Sequence, residues 1–171
     1  MLVTKPRGGR RKAEARRLLL RLVLSAALAG SLSAISITVS GSWSATIDVS
    51  SLQGGAGSDL VPLMESPLNG TALSVKQSRQ QSWQITVRKI DGTWFPDLAL
   101  AVERTSNGSG GSGTVTGGTA YLNVTSVEQV LFTGRGNRSN IDLRFRLSGL
   151  SVNVPPSTYS TTVVYTIVQT I

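Results

Sequence analysis

The chain has 171 residues and a formal net charge of +8, and it contains neither cysteine nor histidine. The missing residue types exclude a disulfide framework, Ser-His-Asp and cysteine nucleophiles, and the usual zinc ligand sets. The positive charge is concentrated at the N-terminus: residues 1–34 hold eight basic residues and one acid, whereas residues 35–171 hold nine basic and eight acidic residues. A main segment so close to neutrality lacks the basic surface that nucleic-acid binding requires.

The N-terminal segment has the order of a secretory signal peptide. Basic residues 5–17 precede an apolar run that ends at Ala29, and small residues follow up to Ala34. The uninterrupted apolar stretch, residues 22–29, is shorter than the roughly 20 residues that span a bilayer. We therefore predict a signal helix cleaved after Ala34, with Ala29 as a rival site, and a secreted, periplasmic or cell-surface protein. The alternatives are an uncleaved N-terminal anchor and a basic amphipathic helix that lies on a membrane.

In residues 35–171 apolar and polar side chains alternate with period two. From Ile35 to Val49 the apolar residues fall on odd positions, as in a strand with one buried face. That span is long for one strand, so we predict a break near Gly41-Ser42. Further strands recur between Gly, Pro and Asn turns, and no segment shows a helical period. The pattern indicates an all-β domain, a sandwich of about seven to nine antiparallel strands or a small barrel.

The remaining strand candidates are residues 72–75, 83–87, 98–102, 114–116, 121–125, 129–133, 143–154 and 159–168. The segments 83–87 and 98–102 are predicted to form a hairpin that turns after Asp91-Gly92. The alternation changes phase across Ser148-Gly149, which indicates a β-bulge or kink at that point.

The acidic residues of the main segment do not form a recognisable catalytic or calcium-binding pattern. They lie beside turns or alternate outwards on strands, and none is arranged as Asp-x-Asp or Glu-x-Asp. The glycine-rich segment 106–113 lacks a lysine and a following helix, so it is not a phosphate-binding loop. We predict a non-catalytic protein without a cofactor or a metal.

Two aromatic residues mark a candidate ligand surface. Trp94 and Phe95 lie in the loop after Asp91-Gly92, where exposed rings could stack on a sugar or anchor an interface. Asn107 in the glycine-rich loop would complete this contact set. The alternative, which we favour, is that the rings fold back over an end of the sandwich, because large aromatic side chains are usually buried.

The segment from Val154 to Tyr159, which contains Pro155 and Pro156, resembles the tyrosine corner of immunoglobulin-like and fibronectin-like sandwiches. That resemblance implies a structural corner in which the Tyr159 hydroxyl bonds back to the preceding backbone at the start of strand F. The tail from Tyr159 to Ile167 is similar to the closing strand of bacterial spore coat U-type and fimbrial-type subunits and of WxL-type surface domains. It implies a secreted β-sandwich that works at a cell surface.

A donor-strand hypothesis follows from this resemblance. If Tyr159 opens an F-like strand, an immunoglobulin-type sandwich still needs a strand G, and fimbrial-type subunits take this strand from a neighbour. The N-terminal strand, residues 35–41, would then be inserted into another subunit. The inserted side chains would be Ile35, Ile37, Val39 and, two residues beyond the segment, Trp43. The alternative, which we place first, is an ordinary first strand of a closed, monomeric sandwich.

Together these patterns predict residues 1–34 as the signal peptide and residues 35–171 as one β-sandwich domain. The expected function is that of a non-catalytic structural or interaction protein, such as a pilus-like, coat or adhesion subunit. Its partners would be other copies or other surface proteins, joined by strand addition, and not nucleic acid or, after cleavage, a membrane. The alternative function is a carbohydrate- or surface-binding module that contacts a glycan through Trp94, Phe95 and Asn107.

Overall fold

The computed structural model describes residues 34–55, 57–77, 79–111 and 113–170. The predicted signal peptide lies outside these residues except for Ala34. In the described part, two antiparallel sheets pack face to face, and the only helical turn is a 3-10 turn at Val49–Ser51. The prediction of an all-β sandwich is confirmed. None of the helical structure described here is long and apolar enough to span a membrane.

The described residues contain ten strands, of which seven are six residues or longer. They are β1 (Ile35–Gly41), β2 (Leu63–Glu65), β3 (Thr71–Gln77), β4 (Ser82–Asp91), β5 (Ala99–Arg104), β6 (Val115–Thr116), β7 (Leu122–Asn123), β8 (Gln129–Arg135), β9 (Arg138–Ser148) and β10 (Thr161–Thr170). The first sheet has the order β1-β3-β9-β5-β7, with β2 also paired to β9, and the second has the order β10-β4-β8-β6.

The predicted break in the N-terminal strand is confirmed at Gly41. Strand β1 ends there, and residues 42–47 run outside the sheet. The φ angle of Gly41 is 87°, a left-handed conformation that only glycine adopts without strain. A side chain at Gly41 would also overlap the carbonyl group of Gly70. Local backbone geometry therefore ends this strand, although the apolar alternation continues in the sequence.

The predicted hairpin between β4 and β5 is wrong. Strand β4 lies in the second sheet and β5 lies in the first, so the chain crosses between the sheets after Asp91. Both strands still bury one face, which is all that the alternation requires. At Ser148-Gly149, where the phase change predicts a bulge or a kink, β9 ends at Ser148 and Gly149 turns the chain with a φ of 82°.

The core lies between the two sheets and is centred on Trp83. Its indole N–H donates to the carbonyl of Gly136 at 2.8 Å, and its ring meets Phe132 edge to face at a centroid distance of 6.2 Å. Each large apolar side chain buried there contributes roughly 1.5–3 kcal/mol. The buried members are Leu73, Val75, Trp83, Ile85, Val87, Leu100, Val102, Val124, Leu131, Phe132, Ile141, Leu143 and Phe145.

The Trp83 ring lies directly on the backbone of Gly134. A Cβ atom at Gly134 would overlap two ring carbons of Trp83 and would lie 2.7 Å from the carbonyl oxygen of Thr114. We expect Gly134→Ala to lower the free energy of unfolding by about 1–3 kcal/mol, because overpacking forces the ring or the strand to move. Urea denaturation of both proteins measures this difference.

Gly55→Ala is the matched control, since no atom lies within 4 Å of a Cβ at Gly55 and its φ is not positive. It should leave the free energy of unfolding unchanged or slightly raised. Equal stability of the two variants would contradict the tight packing of Trp83 on Gly134.

Candidate functional site

On one side of the sandwich, each sheet ends in a long edge strand. These strands are β1 of the first sheet and β10 of the second. Strand β1 pairs with β3 and β10 pairs with β4, and no other described strand pairs with either. The two edges lie next to each other, and we call this open side the seam. Its half-buried side chains pack against the core: Ile35, Ile37, Val163, Tyr165 and Ile167.

Strand β10 lacks the short length, charges, proline and bulges that usually protect an edge strand. It is ten residues long and contains no charged residue, proline or glycine. Its pairing with β4 runs without a bulge from Thr161 opposite Asp91 to Thr170 opposite Ser82. Natural edges are normally short, charged, bulged or covered, because a bare edge recruits further strands. On the other side of the sandwich, the edge strands β6 and β7 have two residues each.

The Tyr165 side chain on β10 carries a second unusual feature. Its hydroxyl is buried and has no hydrogen-bond partner in the described part of the chain. Burial raises the pKa of this hydroxyl, since the ionised form would lose its hydration. An unsatisfied buried hydroxyl costs about 1–3 kcal/mol. Strand β10 therefore has unpaired backbone groups along its free edge and an unpaired, buried side-chain hydroxyl.

Residues 35–41, the predicted partner strand, form β1 and pair with β3 along their whole length. Ile35 and Ile37 are half-buried against the core, whereas Val39 is 47% exposed. Trp43 lies beyond the strand and stacks on Phe145 with a centroid distance of 6.4 Å. In this structure the segment completes its own sandwich, and its insertion into another copy stays a prediction.

The three predicted ligand-contact residues do not form one surface. Trp94 and Phe95 precede β5 and Asn107 follows it, so a strand of roughly 20 Å separates them. The half-buried Trp94 donates its indole N–H to the carbonyl of Leu98 at 2.9 Å, and the ammonium of Lys89 lies 4.7 Å from its ring centroid. These rings therefore fold back onto the sandwich.

Asn107 is also engaged within the chain, because its amide oxygen accepts a hydrogen bond from the Arg104 guanidinium. Arg104 is buried at the end of β5, and burial lowers its pKa. Its Nε donates to the carbonyl of Gly117 at 2.8 Å, and another nitrogen donates to the carbonyl of Ser106 at 2.9 Å. Sequence reasoning missed this residue, although it falls on the inward positions of β5 with Leu100.

A polar cluster covers part of the outer face of the first sheet. Glu65 accepts a hydrogen bond from the Tyr121 hydroxyl at 2.8 Å and forms an ion pair with Arg144. The Arg146 guanidinium lies 3.5 Å from the ring centroid of Tyr121. Burial, with the bond to Glu65, raises the pKa of Tyr121 to about 12. The arginines are thus held by a carboxylate and a ring, and they do not present a free anion site.

The tyrosine corner carries the hydrogen bond that the resemblance implied. The Tyr159 hydroxyl donates to the carbonyl of Pro155 at 2.6 Å, and its ring lies 6.3 Å from that of Phe95. The backbone N–H of Ser160 then donates to the carbonyl of Thr93 at 2.7 Å. These contacts fix the loop just before β10 begins.

No family model, no curated protein and no solved structure matches this chain. Among the described residues, no group of three acidic side chains is placed to hold a metal ion. The seam, with the free edge of β10, is therefore the candidate functional site.

We expect Tyr159→Phe to lower the free energy of unfolding by about 0.5–1.5 kcal/mol, because it removes one hydrogen bond and keeps the ring contact. Urea denaturation measures the loss. Tyr165→Phe is the control, since it removes a hydroxyl without a partner and should leave the stability unchanged or raised. An equal loss in both variants would contradict a stabilising role of the corner hydrogen bond.

Proposed function

We propose that this chain is an exported, non-catalytic structural or interaction subunit that joins other chains by strand addition at the free edge of β10. The observation that carries this proposal is the length and composition of that edge: ten uncharged residues without a bulge, beside half-buried side chains that pack on the core. Strand addition takes its affinity from main-chain hydrogen bonds and its specificity from alternate side chains.

The free edge provides the hydrogen bonds that such an association needs. In an antiparallel sheet, about half of the residues of a strand direct their N–H and C=O groups towards each neighbour. Strand β10 uses one set on β4, and the other set faces the seam. An added strand would exchange bonds to water for bonds to protein, and it would also cover Val163, Tyr165 and Ile167 more completely.

The N-terminal sequence supports a role outside the cytoplasm. Its basic, apolar and small-residue segments have the order of a signal peptide, and the remaining chain is almost neutral. The described residues offer neither a metal cluster nor a histidine or cysteine, and their buried cation, Arg104, serves the fold. Association through backbone edges requires none of these groups.

The export hypothesis predicts that the chain recovered outside the cytoplasm begins at Ile35. Intact-mass measurement of protein from the periplasm or medium of a bacterial expression host tests the cleavage site. Leu24→Arg, which interrupts the apolar run, should retain the full-length chain inside the cell. A mature chain that keeps residues 1–34 in the membrane fraction would instead support the anchor.

The edge hypothesis predicts that a lysine on β10 blocks association while a lysine on the neighbouring strand does not. Val168 is 48% exposed on β10, and Ile90 is 49% exposed on β4, whose edge towards the seam is covered by β10. We expect Val168→Lys to weaken self-association or strand-peptide binding about five- to tenfold, or ~1 kcal/mol. Ile90→Lys, the control, should leave it unchanged.

Light scattering over a range of concentrations measures the size of each variant, with residues 33–171 used because they form one compact unit. Binding of a peptide with the sequence of residues 35–41 is measured in parallel. A chain that stays monomeric, binds no strand and is indifferent to Val168→Lys would reject strand addition at β10.

A further inference from the structure

We infer that the strand added at β10 is β10 of a second copy, in antiparallel orientation about a twofold axis at Tyr165. This inference rests on the proposed function and specifies its partner. The result is a dimer in which the two second sheets become one continuous sheet. Such an interface is isologous, because the same edge is used by both copies.

The alternation of β10 restricts where the axis can lie. Val163, Tyr165 and Ile167 pack against the core, so the odd-numbered positions face inwards. A twofold axis perpendicular to the sheet keeps the inward faces of both copies on the same side, which requires that odd positions oppose odd positions. The axis must therefore pass through a residue and not between two residues.

Among these registers, the one with its axis at Tyr165 places apolar and aromatic residues opposite residues of the same kind on the inward face. Val163 then opposes Ile167 of the second copy, and the two Tyr165 residues oppose each other. An axis at Thr166 gives an equally long overlap but sets the apolar Val163 against Gln169. Pairs of β-branched and aromatic residues across strands stabilise a sheet, so the Tyr165 register is the better one.

The charge distribution permits this approach of two identical edges. No residue of β10 is charged, and the adjacent edge strand β1 is also uncharged. A twofold axis places each residue near the axis close to the same residue of the second copy. A charged residue there would therefore face an identical charge. The seam thus lacks the like-charge repulsion that keeps most edges apart.

The unpaired hydroxyl of Tyr165 gives an independent reason for placing the axis there. The hydroxyl is buried without a partner in the single chain. Directly opposed residues have Cβ atoms about 4.5–5.5 Å apart on the same face, so the two rings would lie side by side. A tyrosine hydroxyl both donates and accepts. Once both Tyr165 rings turn from the core towards the twofold axis, one hydroxyl can donate to the other. The dimer then supplies the partner that the hydroxyl lacks within the single chain.

Cysteine cross-linking tests the register, since the chain contains no cysteine of its own. In this register Thr162 opposes Val168 of the second copy, on the outer face. We expect Thr162→Cys and Val168→Cys, mixed in equal amounts and oxidised, to give a disulfide-linked dimer. Each variant alone should not cross-link, because six residues, roughly 20 Å, separate its two copies.

The matched control mixes Thr162→Cys with Thr170→Cys, which oppose each other only if the axis lies at Thr166. This mixture should give little cross-linked dimer, and efficient cross-linking would overturn the register. Residues 33–171 are used in each case, and non-reducing gels with intact mass measure the product.

Tyr165→Phe tests the role of the hydroxyl. We expect the dimer dissociation constant to rise about five- to tenfold, as for the loss of one neutral hydrogen bond, while the monomer keeps or gains stability. Analytical ultracentrifugation measures the constant and urea denaturation the stability. Tyr159→Phe, the control, should lower stability without changing the dissociation constant. An unchanged constant for Tyr165→Phe would overturn the hydroxyl contact.

The outcomes separate this inference from the proposed function. A dimer with the 162–168 cross-link supports both. Particles larger than a dimer that are disrupted by Val168→Lys but show no 162–168 cross-link would retain strand addition and overturn the β10 pair. A chain that neither associates nor binds a strand would overturn both.

Discussion

The contact between the Trp83 ring and the backbone of Gly134 is the constraint around which this sandwich is built. Strand β4 carries Trp83 in the second sheet, and the ring also bonds to Gly136 in the connection that takes the chain back to the first sheet. One side chain therefore fixes β4, β8 and the start of β9 relative to one another. A chain without disulfides relies on such apolar packing to hold two sheets together.

The two sides of the sandwich are finished differently. On one side the sheets end in β6 and β7, which are too short to recruit another strand, and Arg104 pins the connecting loops with bonds to neutral oxygens. On the other side β1 and β10 are long and uncharged, and the side chains that pack on the core there are only half-buried. The domain is therefore closed on one side and has an edge available to a partner on the other.

Most polar groups that could have formed a binding site serve the fold. Glu65 holds Tyr121 and Arg144 on the outer face of the first sheet, and Trp94 is held against Leu98 and Lys89. Since these side chains have partners within the chain, using them for a ligand would break existing contacts. The backbone groups on the free edge of β10 and the Tyr165 hydroxyl have no such partners, so pairing a further strand with that edge breaks no backbone hydrogen bond of the sheet.

The all-β class, most strand positions, the break at Gly41 and the uncharged composition of β10 follow from the sequence alone, because each depends only on nearby residues. Tertiary structure decided which strands are neighbours. Alternation states which face a strand buries but not which strand lies beside it. For that reason the sequence could not show that β4 and β5 lie in different sheets or that β10 has a free edge. Nor could it show that the Tyr165 hydroxyl lacks a hydrogen-bond partner while Arg104 has three.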